Sequence, residues 1–293
     1  MTTEDRRPRT EDLLRALAVI AEPPTARTSQ LARLLDFPGV LDESEYTDLF
    51  VLQLSPYASV YAGVEGAIGG ETRERVAGFW SVIGVLPPVE ADHLSALLGL
   101  YAGLAERERL IEDDRGRSAL GRARAAFLWE HLLSWLGPYL RKVESIATEP
   151  YAAWARLLKS TLWSEAVASP SAGPLPLHLR AATGLPSTDA SLDDWCGALL
   201  APVRSGIVLT RTDLARAARD LGLGLRAGER RYTLRTLFAQ DAPAISAWLA
   251  DEAEVSAAAF EEDEIVLGPV ARFWAERARH TSVALRHSRD GTA

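Results

Sequence analysis

Apolar residues recur at helical spacing along nearly the whole chain, and that period restricts the fold to helices packed through amphipathic faces. The clearest stretch is 92–110, where Leu94, Leu97, Leu98, Tyr101, Leu104 and Ala105 form one stripe. Asp92 stands ahead of it, where a carboxylate can cap free amides and complement the helix dipole. The same period predicts helices at about 11–21, 28–35, 44–54, 71–83, 119–136, 138–147 and 150–168. It continues at 191–200, 211–221, 230–239, 241–253 and 268–287. Only Ile207-Val208-Leu209-Thr210 is a β-branched run, so the expected class is all-α: a multi-helix bundle in two hinged halves, then a further helical region.

Punctuation divides the chain. Ser55-Pro56 is expected to stop one helix and Gly137-Pro138 to break another. The polar stretch 111–118 reads as a hinge. Pro170, Pro174, Pro176 and Pro186 crowd 169–186, which reads as a linker between a domain at 1–168 and a C-terminal helical domain at 187–293. The residues from about His287 are expected to fray.

Charge is concentrated. Of a formal net charge of -8, the window 34–106 holds eleven acids against Arg73 and Arg75, a balance of -9, so the rest of the chain is close to neutral. The window also carries Phe37, Tyr46, Phe50, Tyr57, Tyr61, Phe79, Trp80 and Tyr101. Acids among aromatics suit a ligand that is both cationic and apolar, through charge complementarity and cation–π contact; the simpler reading is aromatic core beneath a solvated acidic face. An acidic chain is not the usual partner of nucleic acid. The one feature in favour is 210–223, which has the cadence of a helix-turn-helix and is followed by Arg226, Arg230, Arg231 and Arg235. A DNA-binding regulator is therefore the alternative function, although no recognition helix is evident after Gly222.

Most familiar chemistry is missing. There is no Walker-type or GxGxxG phosphate loop and no HExxH pair. Cys196 is the single cysteine, so neither an internal disulfide nor a thiolate cluster can form, and a reducing cytoplasm is the expected setting. A metal site from Asp92, His93, Glu130 and His131 requires the two long helices to bring them together; a capping Asp and a hydrogen-bonded His explain the same residues. Neither metal nor cofactor is expected. No apolar run is long enough for a membrane span. Arg6-Arg7 before Leu13–Ala21 has the look of an export signal, but Glu11, Asp12 and Arg15 interrupt it, and an amphipathic helix is expected instead.

Three blocks resemble the TorD/DmsD/NarJ family of redox-enzyme maturation chaperones. The first is Tyr46-Thr47-Asp48-Leu49-Phe50 running into Leu54-Ser55-Pro56-Tyr57-Ala58-Ser59-Val60-Tyr61. The second is Glu90-Ala91-Asp92-His93-Leu94 with Leu97-Leu98, similar to the family's Glu-Pro-x-Asp-His-Leu. The third is Phe127-Leu128-Trp129-Glu130-His131-Leu132-Leu133-Ser134-Trp135-Leu136-Gly137-Pro138. The family proline between Glu and Asp is absent, Glu90 stands one residue closer to Asp92, and the chain runs on past the usual end. The resemblance implies a helical, cytoplasmic, non-catalytic chaperone that binds the apo catalytic subunit of a molybdopterin oxidoreductase and its twin-arginine signal peptide, as a monomer or homodimer, without membrane insertion. It points to Asp92 and His93 for client contact, with Glu90, Tyr57 and Tyr61 beside them. Trp129, His131 and Trp135 are expected either in the same groove or in the core.

Overall fold

The computed structural model describes residues 9–170, 173–226 and 228–290, with side chains to His287. Arg6-Arg7 lies outside the described residues. The described chain is helical throughout, and its one β-like contact is an isolated antiparallel bridge between Tyr57 and His93. The chain forms two compact units. Unit 1 is the chain to Ala58 with Thr72–Leu136 and Val143–Gly173; unit 2 is Ser59–Glu71, which holds most of the short helix α4 (Ala58–Ala62), with Gly137–Lys142 and the chain from Pro174.

In unit 1, α1 (Thr10–Ile20) packs on α6 (Leu94–Leu110), with α2 (Ala26–Leu34), α3 (Glu43–Tyr46), α5 (Gly70–Val82), α7 (Asp114–Phe127) and α9 (Tyr151–Ala168) around them. The α6 stripe is buried from Leu94 to Leu104, as its period requires. Leu14 and Leu17 of α1 meet it, and Arg15 and Arg109 pair across the two helices with Glu106 and Glu11. Trp154 of α9 is fully buried and donates its indole N–H to Leu17 O at 2.9 Å, while Phe50 stacks edge-on against Tyr151 and Trp154.

Two stretches are wound differently from the expectation. Thr47–Gln53 and Leu128–Leu133 are π-helical, each continuing an α-helix. Helix α7 starts at Asp114, earlier than the apolar pattern signals, because Asp113 caps it by accepting from Gly116 N at 2.7 Å. Only 111–113 of the expected hinge is outside helix. Pro138 does not break the chain either: it lies inside α8 (Ser134–Ile146), where buried Tyr139, Leu140 and Val143 offset its missing hydrogen bond.

Unit 2 is organised by two long helices packed along one another, α15 (Ala242–Glu262) and α17 (Pro269–Asp290), joined through the short α16 (Glu264–Leu267). Helices α11 (Leu192–Leu199), α12 (Pro202–Ser205), α13 (Arg211–Leu221) and α14 (Arg230–Gln240) complete a core that includes Leu199, Leu214, Leu234, Leu237, Ile245 and Leu249. The segment 207–210 is neither helix nor strand, and its last residue, Thr210, is the α13 cap. The Pro-rich stretch contains α10 (Leu177–Ala181). Helix α15 continues to Glu262, beyond the expected 253, and α17 stays helical past His287 to Asp290.

Candidate functional site

The Tyr57–His93 bridge assembles the site. Ala58 N donates to Asp92 O at 3.0 Å and Leu94 N to Pro56 O at 2.8 Å, so the turn entering α6 is held against the 55–58 segment. Tyr57 and His93 meet edge to face, 4.8 Å between centroids. His93, rather than Asp92, caps α6: its Nδ1 accepts from Ser95 N at 3.3 Å. A ring nitrogen that accepts carries no proton, so the neutral ring holds its hydrogen on Nε2. Asp92 is completely buried at the turn.

Three more groups complete the cluster. Glu90, exposed, is hydrogen-bonded to the Tyr57 hydroxyl. Glu22, just past the end of α1, places Oε1 3.6 Å from His93 Nδ1 and accepts from the Ser95 hydroxyl. Burial and the carboxylates Glu22 and Glu90 raise the Tyr46 phenol to about 12. Tyr57 is raised too, by burial first and then by Glu90. Burial pushes His93 below the ordinary imidazole range, against the opposing pull of Glu22, Glu90 and Asp92. Neither Glu22 nor Glu90 has an Arg or Lys partner among the described residues. The patch is thus electronegative and half aromatic, and it lacks a cation. The end of α5 and the loop before Glu90 are apolar and exposed: Val82, Leu86 and Val89 are 86%, 90% and 83% accessible.

The remaining expected residues lie elsewhere. Tyr61 belongs to unit 2, buried, with its ring 5.1 Å from Tyr139. Trp129 and His131 are in the π-helical stretch, both 7% exposed, and Trp135 is fully enclosed. Trp129 donates its indole N–H to Pro170 O at 3.2 Å, Trp135 donates to His131 O at 2.9 Å, and His131 packs between Phe79 and Phe127. These three side chains are buried in this structure. Asp92, His93, Glu130 and His131 do not converge: no group of three or more His, Cys, Asp or Glu side chains among the described residues can share a metal ion. Cys196 is buried, and burial raises its thiol to about 12, so it behaves as a small apolar side chain. Glu22, Ser95, Tyr46 and the 82–89 strip were missed from sequence. The strip had a signal, since Val-Leu-Pro-Pro-Val in a proline-bearing loop places apolar side chains where no helix can bury them; Glu22 had none.

Burial also makes His131 an acid-sensitive point. Its imidazole is pushed down to about 4, first by burial and then by Arg75. The unfolded chain takes up this proton near pH 6.5, the folded chain only near 4, so stability falls as pH drops through that window, by about 3 kcal/mol in all. Urea titrations of wild type and His131→Gln between pH 7 and 4 should show a shallower loss in the variant; parallel curves would remove His131 as the cause.

Most of the arginines that a DNA-binding reading needs are used internally, although Arg226 is exposed. Arg216 pairs with Glu252 and Asp213, Arg231 and Arg235 with Asp193, and Arg230 donates to Leu209 O. Helix α13 ends at a left-handed Gly222 and α14 begins only at Arg230, a longer interval than the three or four residues of a helix-turn-helix turn.

Fold and site together define an all-helical protein that offers a carboxylate–aromatic surface. Residues 28–141 match the family model described as nitrate reductase delta subunit. Two relatives, both named Chaperone protein TorD, from Vibrio vulnificus strains YJ016 and CMCP6, are each 29% identical over 107 residues, 34% of this chain and 50% of the relative. Through this segment the chain is similar to the TorD/DmsD/NarJ family. The chain spans about half the length of the curated relatives it matches.

Proposed function

We propose that the protein is a non-catalytic maturation chaperone of the cytoplasm. It binds the apo catalytic subunit of a molybdopterin oxidoreductase, together with the subunit's twin-arginine signal peptide, and holds it for cofactor insertion and assembly. The family match of residues 28–141 supports the chaperone class. The observation that carries the binding mode is the cation-free carboxylate pair, Glu22 and Glu90, set around Tyr57 and His93 beside the exposed 82–89 strip. A guanidinium docking there gains two carboxylates and an aromatic face, and the apolar run that follows it can cover Val82, Leu86 and Val89. In this reading 1–168 is the chaperone domain and 187–293 an appended helical domain. Among the described residues, no helix is long and apolar enough to cross a membrane.

The test is titration of a fluorescent twin-arginine signal peptide. Glu90→Gln keeps a hydrogen-bonding side chain at an exposed position, so the melting temperature should hold while affinity falls about tenfold at low salt. The difference should narrow as salt is added. Unchanged affinity in Glu90→Gln, or wild-type binding that ignores salt, would sink this binding mode.

A further inference from the structure

A cavity of about 500 Å³ opens in unit 2, and its wall includes Val64, Glu65, Thr183, Asp194, Arg204 and Arg231. Gly197 on the wall, and Gly184 next to Thr183 of the wall, each make room for a guanidinium group. A Cβ on Gly197 would stand 3.3 Å from an Nη of Arg231, and one on Gly184 2.6 Å from an Nη of Arg277. Arg204 donates from Nε to Gly184 O at 3.1 Å. Arg277 donates to Ala182 O and lies over the Phe273 ring, 5.1 Å from its centroid.

The pairing of these cations is uneven. Arg231 and Arg235 share Asp193, whereas Arg204 and Arg277 bond only to carbonyl oxygens and meet no carboxylate among the described residues. Burial, and then the charge of Arg204, lower Arg277 from the ordinary guanidinium range, so two like charges sit close together without a counter-charge. Of the two acids on the wall, Asp194 is engaged by the Ser191 hydroxyl at 2.6 Å, and Glu65 is exposed.

We infer that this cavity binds a small oxyanion, a carboxylate or a phosphate group, through the Nη hydrogens of Arg204, with Arg231 beside it and the field of Arg277 behind. A planar guanidinium fork matches either group, and a cavity of this volume holds a small organic anion. Most of the wall lies beyond the family-matched segment, since only Val64 and Glu65 fall within 28–141. The inference is therefore independent of the chaperone reading.

Calorimetry and thermal melts of the full chain with inorganic phosphate and with succinate, against sodium chloride at equal ionic strength, test it. One of the two should bind saturably with a Kd of about 1 mM or tighter; which one does so identifies the group. Arg204→Gln should weaken that binding about tenfold. Because Arg204 also holds Gly184, the exposed Glu65→Gln is the second variant: removing its charge should tighten binding about two- to fivefold. No saturable binding of either anion, or unchanged affinity in both variants, overturns the proposal.

Discussion

Gly206→Ala should destabilise unit 2 by about 3–5 kcal/mol, combining the strain of an L side chain in the left-handed region with overpacking against an unyielding wall. Gly206 has φ +75° at the end of α12, and a Cβ there would come within 2.2 Å of Ala278 N and 2.8 Å of Ala278 Cα. Those are backbone atoms of α17, not the end of a flexible side chain. Relief requires moving a helix whose neighbouring Thr281 is buried and donates its hydroxyl to Ser205 O at 2.6 Å. Gly222 supplies the control: it is also left-handed, with φ +66°, but a Cβ there meets nothing within 4 Å. Gly222→Ala should therefore cost only about 1–2 kcal/mol. Urea unfolding of both variants decides the matter, and equal losses would mean that backbone conformation alone, not the close approach to α17, accounts for Gly206.

Asp213→Ala should cost a similar amount, about 3–5 kcal/mol, because it removes a buried carboxylate that pairs with Lys142 and Arg216 and closes a helix cap. Both Asp213 oxygens lie 3.1 Å from Lys142 Nζ, and the carboxylate side chain is only 3% accessible. Its Oδ2 also accepts from Thr210 N and from the Thr210 hydroxyl, each at 2.8 Å, closing the capping box that starts α13. Burial on its own would raise this carboxyl; Lys142 and the Thr210 bonds overcome it and hold the group below the usual carboxylate range. The folded pKa is thus depressed, so the contribution of Asp213 is complete above about pH 4 and is lost as pH falls through the folded value. The double variant Lys142→Met with Asp213→Leu should recover much of the loss, since an apolar pair can replace a buried ion pair and Arg216, which also meets Asp213, keeps its pairing with Glu252. If Asp213→Ala melts like wild type at pH 7, the pair does not hold this unit together.

Both positions show what the sequence could disclose. The capping box at Thr210 and Asp213 is a local signal, three residues apart, and the helix it starts was expected within a residue. Lys142, the partner of Asp213, stands 71 residues earlier and has no local mark. Gly222 follows the last apolar turn of α13, where a left-handed glycine commonly ends a helix; Gly206 looks no different in sequence, yet the backbone of Ala278, 72 residues away, makes it far more demanding.

The site divides in the same way. Tyr57, Glu90, Asp92 and His93 come from two short blocks that the family resemblance singled out, and the structure brings them to one turn. The Asp-His pair was legible, but its roles were not: Asp92 looked like the cap, and the bridge to Tyr57 instead turned His93 into the capping position and buried Asp92. Tyr61 is four residues from Tyr57 and on sequence alone looked like its neighbour, but it packs with Tyr139 in the other unit. The π-helical turns at 47–53 and 128–133 also escaped, because one extra residue per turn rotates a face without altering which residue types are present.

By itself, then, the sequence determined the elements and the sign of the surface: helices, because periodicity and caps are interactions within a turn or two, and an acidic aromatic window, because charge is counted from composition. Tertiary structure alone decided which carboxylates face which rings. Glu22 reaches Ser95 only because α1 packs on α6 across 73 residues of sequence, and Trp129, His131 and Trp135 are core rather than surface for the same reason. A local pattern shows that a face is apolar; what covers that face is settled by the packing of distant segments, whose contacts leave no mark at short range.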